Sequence, residues 1–414
     1  MMHFNDLPTH PPTRVRYVVL ILAALLTVGV IGSATATGIA RADDDVASGS
    51  ARWSGLDARE YSGPIGKPGT LLAYVPLDPT LSLPAASKAY RILYSTVDIH
   101  DRPAVSTAAV FVPRSAPPRG GYPVIAWAHG TVGLGDNCTP SALPRIPRDV
   151  EYLDHWLNQG YAIVATDYVG LGTPGLMNYL SGKVEAHSIV DSVIAAQQMK
   201  LPLSKKWAIV GQSQGAGAAL NGARYATQLS RGTGLDYRGV VATGTPANIE
   251  QAVALAGPAL PPVTLPAALN VYTTYIWAGF SDARPDLHPM SILTPEGNRL
   301  VTLARTTCYR DMKKIMSGRQ TRDLFAAPVA SIPGVRAALA DYMGTPYSGY
   351  DRPIFLGQGL RDIDVPAPSA LSLYAQMVSA RQPVTLHVYP DQDHSGTVLA
   401  SMKDSTPFVT KIMR

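Results

Sequence analysis

The sequence predicts an α/β fold, a mostly parallel central sheet flanked by helices and interrupted by an inserted helical cap. Three observations predict it. Short apolar runs at 123–128, 162–166 and 207–210 stop abruptly at His129-Gly130, Asp167 and Gly211. Amphipathic or Ala-rich stretches at 150–159, 185–199 and 216–229 alternate with them. Residues 246–348 then break the alternation with helical patterning, clustered prolines and no convincing strand. Strands that are apolar throughout and alternate with helices suit a parallel sheet covered on both faces.

The chain has 414 residues, 46% of them hydrophobic and only 16% charged. That balance suits one large α/β domain with an insertion, not a disordered chain. The first residues stand apart from the fold. Arg14 and Arg16 precede an apolar run over 17–32, which leads through small residues to Ala40-Arg41-Ala42. This is the pattern of a secretory signal peptide, residues 1–42, cleaved after Ala42. The alternative is an uncleaved anchor, for which the run is short against the roughly 20 residues of a membrane span. Either reading exports the protein, to the extracellular space or the cell envelope.

The formal charge of +5 shrinks further once Arg14, Arg16, Arg41 and Asp6 are removed. The densest basic pairs are Lys205-Lys206 and Lys313-Lys314. A nucleic-acid partner would leave a larger footprint. Cys138 and Cys308 are the two cysteines of the chain. An even count in an oxidising compartment favours a disulfide between them, the alternative being two unrelated thiols. They lack the paired ligands of a zinc site, so no metal is expected.

Residues 43–85, rich in Asp, Gly, Ser and Pro, read as a loosely structured leader. The core is expected over 86–245 and 349–414. Strands at 89–97 and 104–112 flank a turn at His100-Asp101-Arg102-Pro103. Those at 123–128, 162–166, 207–210 and 239–243 follow, and 353–357 and 384–389 complete the sheet around a helix near 369–379. Residues 246–348 form the cap. No internal repeat is evident.

Chemistry concentrates at the strand ends. Gly211-Gln212-Ser213-Gln214-Gly215 is a G-x-S-x-G turn between an apolar run and an Ala-rich helix, the setting in which such a turn presents a nucleophilic serine. Without the Gly-Lys-Ser/Thr ending it does not read as a phosphate loop. A serine hydroxyl needs an imidazole to take its proton and a carboxylate to fix the imidazole's tautomer. In strand-turn-helix elbows of this kind the order is serine, acid, histidine. Downstream histidines are His288 in the insertion, His387 inside a strand, and His394 just past that strand in Asp391-Gln392-Asp393-His394-Ser395-Gly396. His394 is the candidate base. Asp362 is the candidate acid, with Asp364 its rival; Asp391 and Asp393 flank the histidine and suit shaping its loop. The oxyanion donors would be the N–H groups of Gln214 and of Thr131 in His129-Gly130-Thr131-Val132-Gly133. His129 suits ordering that loop.

Taken together, Trp127-Ala-His-Gly-Thr131, Asp136-Asn-Cys-Thr-Pro-Ser141, Asp167-Tyr-Val-Gly-Leu-Gly172, the elbow around Ser213 and Gly359-x-x-Asp362-x-x-Val365-Pro366 resemble the secretory lipase family of α/β-hydrolases, over roughly residues 90–400. That family includes fungal and actinobacterial extracellular lipases. The resemblance implies a triad of Ser213, Asp362 and His394, a helical cap over the site, and a disulfide from Cys138 into that cap. Where relatives often carry a second glycine after the elbow, this chain has Ala216.

The function expected is that of a carboxylic-ester hydrolase releasing fatty acids from acylglycerols through a Ser213 acyl-enzyme. It needs no cofactor, and its partners would be a lipid or small ester and a lipid–water interface. A short-chain carboxylesterase, an acyltransferase, a peptidase of the same fold and a non-enzymatic binding module are the alternatives.

Overall fold

The turn after the first long strand decides how the sheet begins. In the computed structural model, which describes residues 50–414 apart from Thr264, β1 (Leu71–Pro76), β2 (Ala86–Val97) and β3 (Pro103–Pro113) open the fold. Asp98 accepts from the His100 and Arg102 backbones at 2.8 and 2.9 Å, closing a tight turn that makes β2 and β3 antiparallel. The expected signal peptide, residues 1–42, lies outside the described residues.

From there the connections are helical. β4 (Tyr122–Ala128) leads through α1 (Pro147–Asn158) to β5 (Ala162–Thr166), then α2 (Gly182–Ala196), β6 (Leu203–Gln212), α3 (Gln214–Leu229) and β7 (Asp236–Thr243). A helical crossover returns the chain to the same end of the sheet, so these strands pair in parallel. The insertion follows: α4 (Ile249–Val253), α5 (Ala267–Ala283), α6 (Pro295–Ala304), α7 (Tyr309–Met316) and α8 (Val335–Met343), joined by short 3₁₀ turns. β8 (Ile354–Gly359), α9 (Pro368–Ser379), β9 (Val384–Tyr389), α10 (His394–Ala400) and α11 (Met402–Ile412) complete the chain.

The strand order is β1-β2-β3-β5-β4-β6-β7-β8-β9. The pairs β1/β2, β2/β3 and β3/β5 are antiparallel and the rest parallel. This is the α/β-hydrolase architecture. One face buries Ile189 and Val193 of α2, Leu220 of α3, and Trp277 and Leu339 of the insertion. The other buries Phe111 and Trp127 under Tyr152, Trp156 and Val398. Each such side chain contributes about 1.5–3 kcal/mol by leaving water.

The leader requires a correction. Part of the segment expected to be loose is β1, paired with β2, and Leu77, Leu81 and Leu83 behind it are buried. β1 is an edge strand with both faces partly exposed, so it lacks the apolar alternation that would reveal it. β6 and β7 likewise begin before their apolar runs. Lys205, Lys206 and Arg238 occupy their entry ends, where long charged side chains reach solvent.

Candidate functional site

The turn between β6 and α3 holds Ser213 at φ 58° and ψ −125°, outside the regions that residues with a Cβ readily adopt. The flanking glycines make the turn possible. A Cβ on Gly211 would overlap the Gly215 carbonyl, and one on Gly215 would overlap the carbonyls of Ala128 and His129. The Ser213 N–H donates to the Thr243 carbonyl at 3.0 Å, tying the elbow to the end of β7.

His394 is brought to this turn from the far end of the chain. It is the first residue of α10, whose N-cap Asp393 accepts from the Gly396 N–H at 2.8 Å. Its Nδ1 lies 2.6 Å from Asp362 Oδ2, and both residues are buried. The other oxygen of Asp362 accepts from the backbone N–H groups of Asp364 and Val365, at 3.0 and 2.7 Å. This leaves the carboxylate one orientation. Gly244, at φ 60°, has no room for a side chain, since a Cβ would stand 2.8 Å from His394 Cε1 and 3.0 Å from Nδ1. Burial works against charging the His394 imidazole. The hydrogen bond and charge of Asp362 outweigh it, with Asp364 adding and Arg148 opposing, so its pKa lies above the ordinary 6.5.

Ser213 and His394 line one cavity of about 150 Å³, with His129, Thr131, Arg148 and, from the insertion, Tyr272 and Tyr309 among its walls. Of the two acids, Asp362 holds the imidazole, and Asp364 lines the cavity. The rivals are occupied elsewhere. Asp391 pairs with Arg361 at 2.9 Å and Asp393 caps α10. His387 stacks on Phe355 at 4.6 Å between ring centres, and His288 is exposed on the insertion.

The expected oxyanion residues are placed less symmetrically. Gln214 opens α3, so its N–H has no acceptor within the helix. Its side chain runs backwards and donates to Glu185 at 2.8 Å. Burial raises the pKa of Glu185 to about 8, with the Gln214 amide opposing. Thr131 lines the cavity and its hydroxyl meets that of Tyr179 at 2.6 Å. His129 is buried beside its own loop, Nδ1 2.7 Å from the Gly130 carbonyl and its ring 4.4 Å from that of Tyr168. Burial lowers its pKa, which suits an ordering role.

Cys138 and Cys308 form a disulfide with Cα atoms 5.3 Å apart. It ties the loop carrying Thr131 to the start of α7, where the Tyr309 N–H also donates to the Val132 carbonyl at 2.8 Å. Among the described residues, no group of three or more His, Cys, Asp or Glu is arranged to hold a metal ion.

Sequence reading missed Glu185, Arg148 and the tyrosines of the insertion. None sits in a motif, and each reaches the site only through folding. Gln212 was visible as the variable second position of the elbow, but nothing there announces a role. Its amide nitrogen lies 2.9 Å from His394 Nε2.

Residues 145–269 match the model of the secretory lipase family, so the resemblance read from the motifs holds across the elbow. Solved structures share the fold. Candida antarctica lipase A in its closed state superposes with a TM-score of 0.65 at 18% identity, covering 84% of this chain and 82% of that one. The rice cell wall degrading esterase LipA of Xanthomonas oryzae gives 0.66 at 20% identity over 83% and 97%. A hydrolase described as putative from Legionella pneumophila gives 0.66 at 20% over 83% and 98%. No curated protein matches the chain.

Proposed function

We propose that this chain, with its α/β-hydrolase fold and secretory lipase match, is an exported serine carboxylic-ester hydrolase of the lipase and esterase kind. The observation that carries the reading is the buried His394–Asp362 pair, 2.6 Å apart, whose imidazole lines the same cavity as a strained serine. Asp362 holds the Nδ1 proton, so the lone pair that acts as base is the one on Nε2. Ser213 Oγ attacks the ester carbonyl as its proton passes to His394 Nε2. That proton then goes to the departing alkoxide, leaving an acyl-Ser213. Water, deprotonated by the same nitrogen, releases the acid and regenerates the serine. The N–H groups of Gln214 and Thr131 would stabilise the oxyanion in both halves, each donor worth about 2.7–4 kcal/mol. The disulfide and the family match support an extracellular setting.

The lipase reading rests on residues 246–348 as a cap whose apolar side chains accept an acyl chain. A second reading, a short-chain carboxylesterase, is favoured by the cavity itself. Its volume of about 150 Å³ is small beside the roughly 300–1,000 Å³ of ligand pockets. Hydrolysis of p-nitrophenyl esters from acetyl to palmitoyl, then of emulsified triglyceride, separates the two. A lipase gains with chain length, at up to 0.8 kcal/mol per buried CH₂, and gains again on an emulsion. A steady fall beyond butyrate removes the lipase reading and leaves the esterase. No hydrolysis of any ester removes both.

A further inference from the structure

We propose that Gln212 is a positioning residue whose side-chain amide occupies the Nε2 lone pair of His394 in the resting enzyme and must release it before Ser213 can be deprotonated. The inference rests on the reading of His394 as the base.

An imidazole that gives its Nδ1 proton to a carboxylate has a single acceptor lone pair, on Nε2, in the plane of the ring. In this structure Gln212 Nε2 lies 2.9 Å from that atom, and both side chains are buried. An amide NH₂ has only protons to offer, so Gln212 donates and His394 accepts. The other end of the amide fixes its orientation. Arg148 Nη2 donates to Gln212 Oε1 at 3.3 Å. Arg148 is itself held by Asp149, at 2.9 and 2.7 Å, and reaches Ser395 Oγ at 3.1 Å, next to the histidine. Gly130 leaves space for the amide, since a Cβ there would come within 2.7 Å of Gln212 Oε1. The chain Arg148–Gln212–His394–Asp362 is therefore continuous, and Ser213 has to displace one link of it.

Two consequences follow. A donor on Nε2 stabilises the neutral imidazole, so Gln212 offsets part of the rise that Asp362 imposes. It also competes with the Ser213 hydroxyl for the same lone pair. Asp362, Asp364 and Arg148 act on the His394 charge, with Asp149 behind Arg148 and Asp393 adjoining in the chain. Gln212→Met alters none of these charges; it removes the donor to Nε2 together with the Oε1 that accepts from Arg148. A hydrogen bond of this kind contributes about 0.5–1.5 kcal/mol. Its loss should raise the His394 pKa by about 0.4–1 unit and speed attack by Ser213 by about 2- to 10-fold where the imidazole is already neutral.

The test has one arm without catalysis. In Ser213→Ala protein, histidine NMR titration gives the His394 pKa with Gln212 present and with Gln212→Met; the second should be higher. In protein with Ser213 intact, fluorophosphonate labelling at alkaline pH should be faster with Gln212→Met. An unchanged or lowered pKa overturns the proposal, and so does unchanged or slower labelling. Absence of ester hydrolysis by the wild type would count against the function, while the titration would still decide the role of Gln212. If Gln212→Met fails to fold, Gln212→Glu keeps the shape and places an acceptor on Nε2. It should raise the pKa further and slow labelling at neutral pH; a pKa that does not rise overturns the proposal.

Discussion

His394 Nδ1 and Asp362 Oδ2 stand 2.6 Å apart although 32 residues separate them in the chain, and neither side chain has appreciable contact with solvent. β8 ends just before Asp362 and β9 ends just before His394, so two neighbouring parallel strands deliver the carboxylate and the imidazole to the same end of the sheet. β6 delivers Ser213 to that end as well. Ligand sites at the carboxyl ends of parallel strands are the general rule for open α/β sheets.

Replacing the proposed nucleophile is the most direct test. Ser213→Ala should lower turnover of a p-nitrophenyl ester on the order of 10⁶-fold, to what binding and the oxyanion donors supply. Fluorophosphonate labelling should vanish with it. Thermal melting should stay near that of wild type, because alanine fills no more space in the elbow. Substantial activity in this variant would sink the serine mechanism.

The acids should separate cleanly. Asp362→Asn should cost roughly 10⁴-fold in kcat through loss of the correct tautomer, and Asp364→Asn far less. The pH profile gives a second readout. Asp362 holds the His394 pKa above 6.5 against the opposing effect of burial. In Asp362→Asn burial prevails, so the acid limb of kcat/KM should move to lower pH. If Asp364→Asn is the more damaging variant, the acid assignment is wrong.

Glu185 links the site to stability. Its carboxyl is buried against the Gln214 amide and titrates near pH 8, against 4.5 in an ordinary setting. Between those values the unfolded chain has released a proton that the folded protein retains. Stability therefore falls as pH rises through this window and levels off above about 8. Glu185→Gln keeps the hydrogen-bonding shape without the proton. Melting temperatures from pH 5 to 8 should decline less in the variant than in wild type; equal slopes would refute the linkage.

The disulfide closes a separation of 170 residues, for which the chain-entropy model gives about 5 kcal/mol, an upper figure in practice. Cys138→Ser with Cys308→Ser should lower the melting temperature by several degrees. Activity should fall more than stability at working temperature accounts for, because the loop carrying Thr131 loses its tie to α7. Non-reducing peptide mapping of the wild type should recover one cross-linked peptide. Two alkylatable thiols in folded protein would contradict the bond.

Much of this protein is legible without coordinates. Residues 123–128, 162–166 and 207–210 are apolar because both faces of a parallel sheet are buried, so the central strands announce themselves. Gly211 and Gly215 are dictated by backbone clearance around Ser213, a purely local requirement that a pentapeptide records. Serine, acid and histidine follow in order because successive strands stop at one end of the sheet. Other features have no local signature. β1 is half exposed and gains its place only by pairing with β2. Glu185 acquires its raised pKa from being enclosed by residues remote in sequence, with Gln214 among them. Gln212 looks like any polar residue in the elbow until α10 swings His394 over it and the α1 start brings Arg148 to its oxygen. Backbone sterics and binary burial are short-range and periodic, so the sequence determines them. Hydrogen-bond partners and pKa values depend on which distant groups share a small, dry space, and only the tertiary structure decides that.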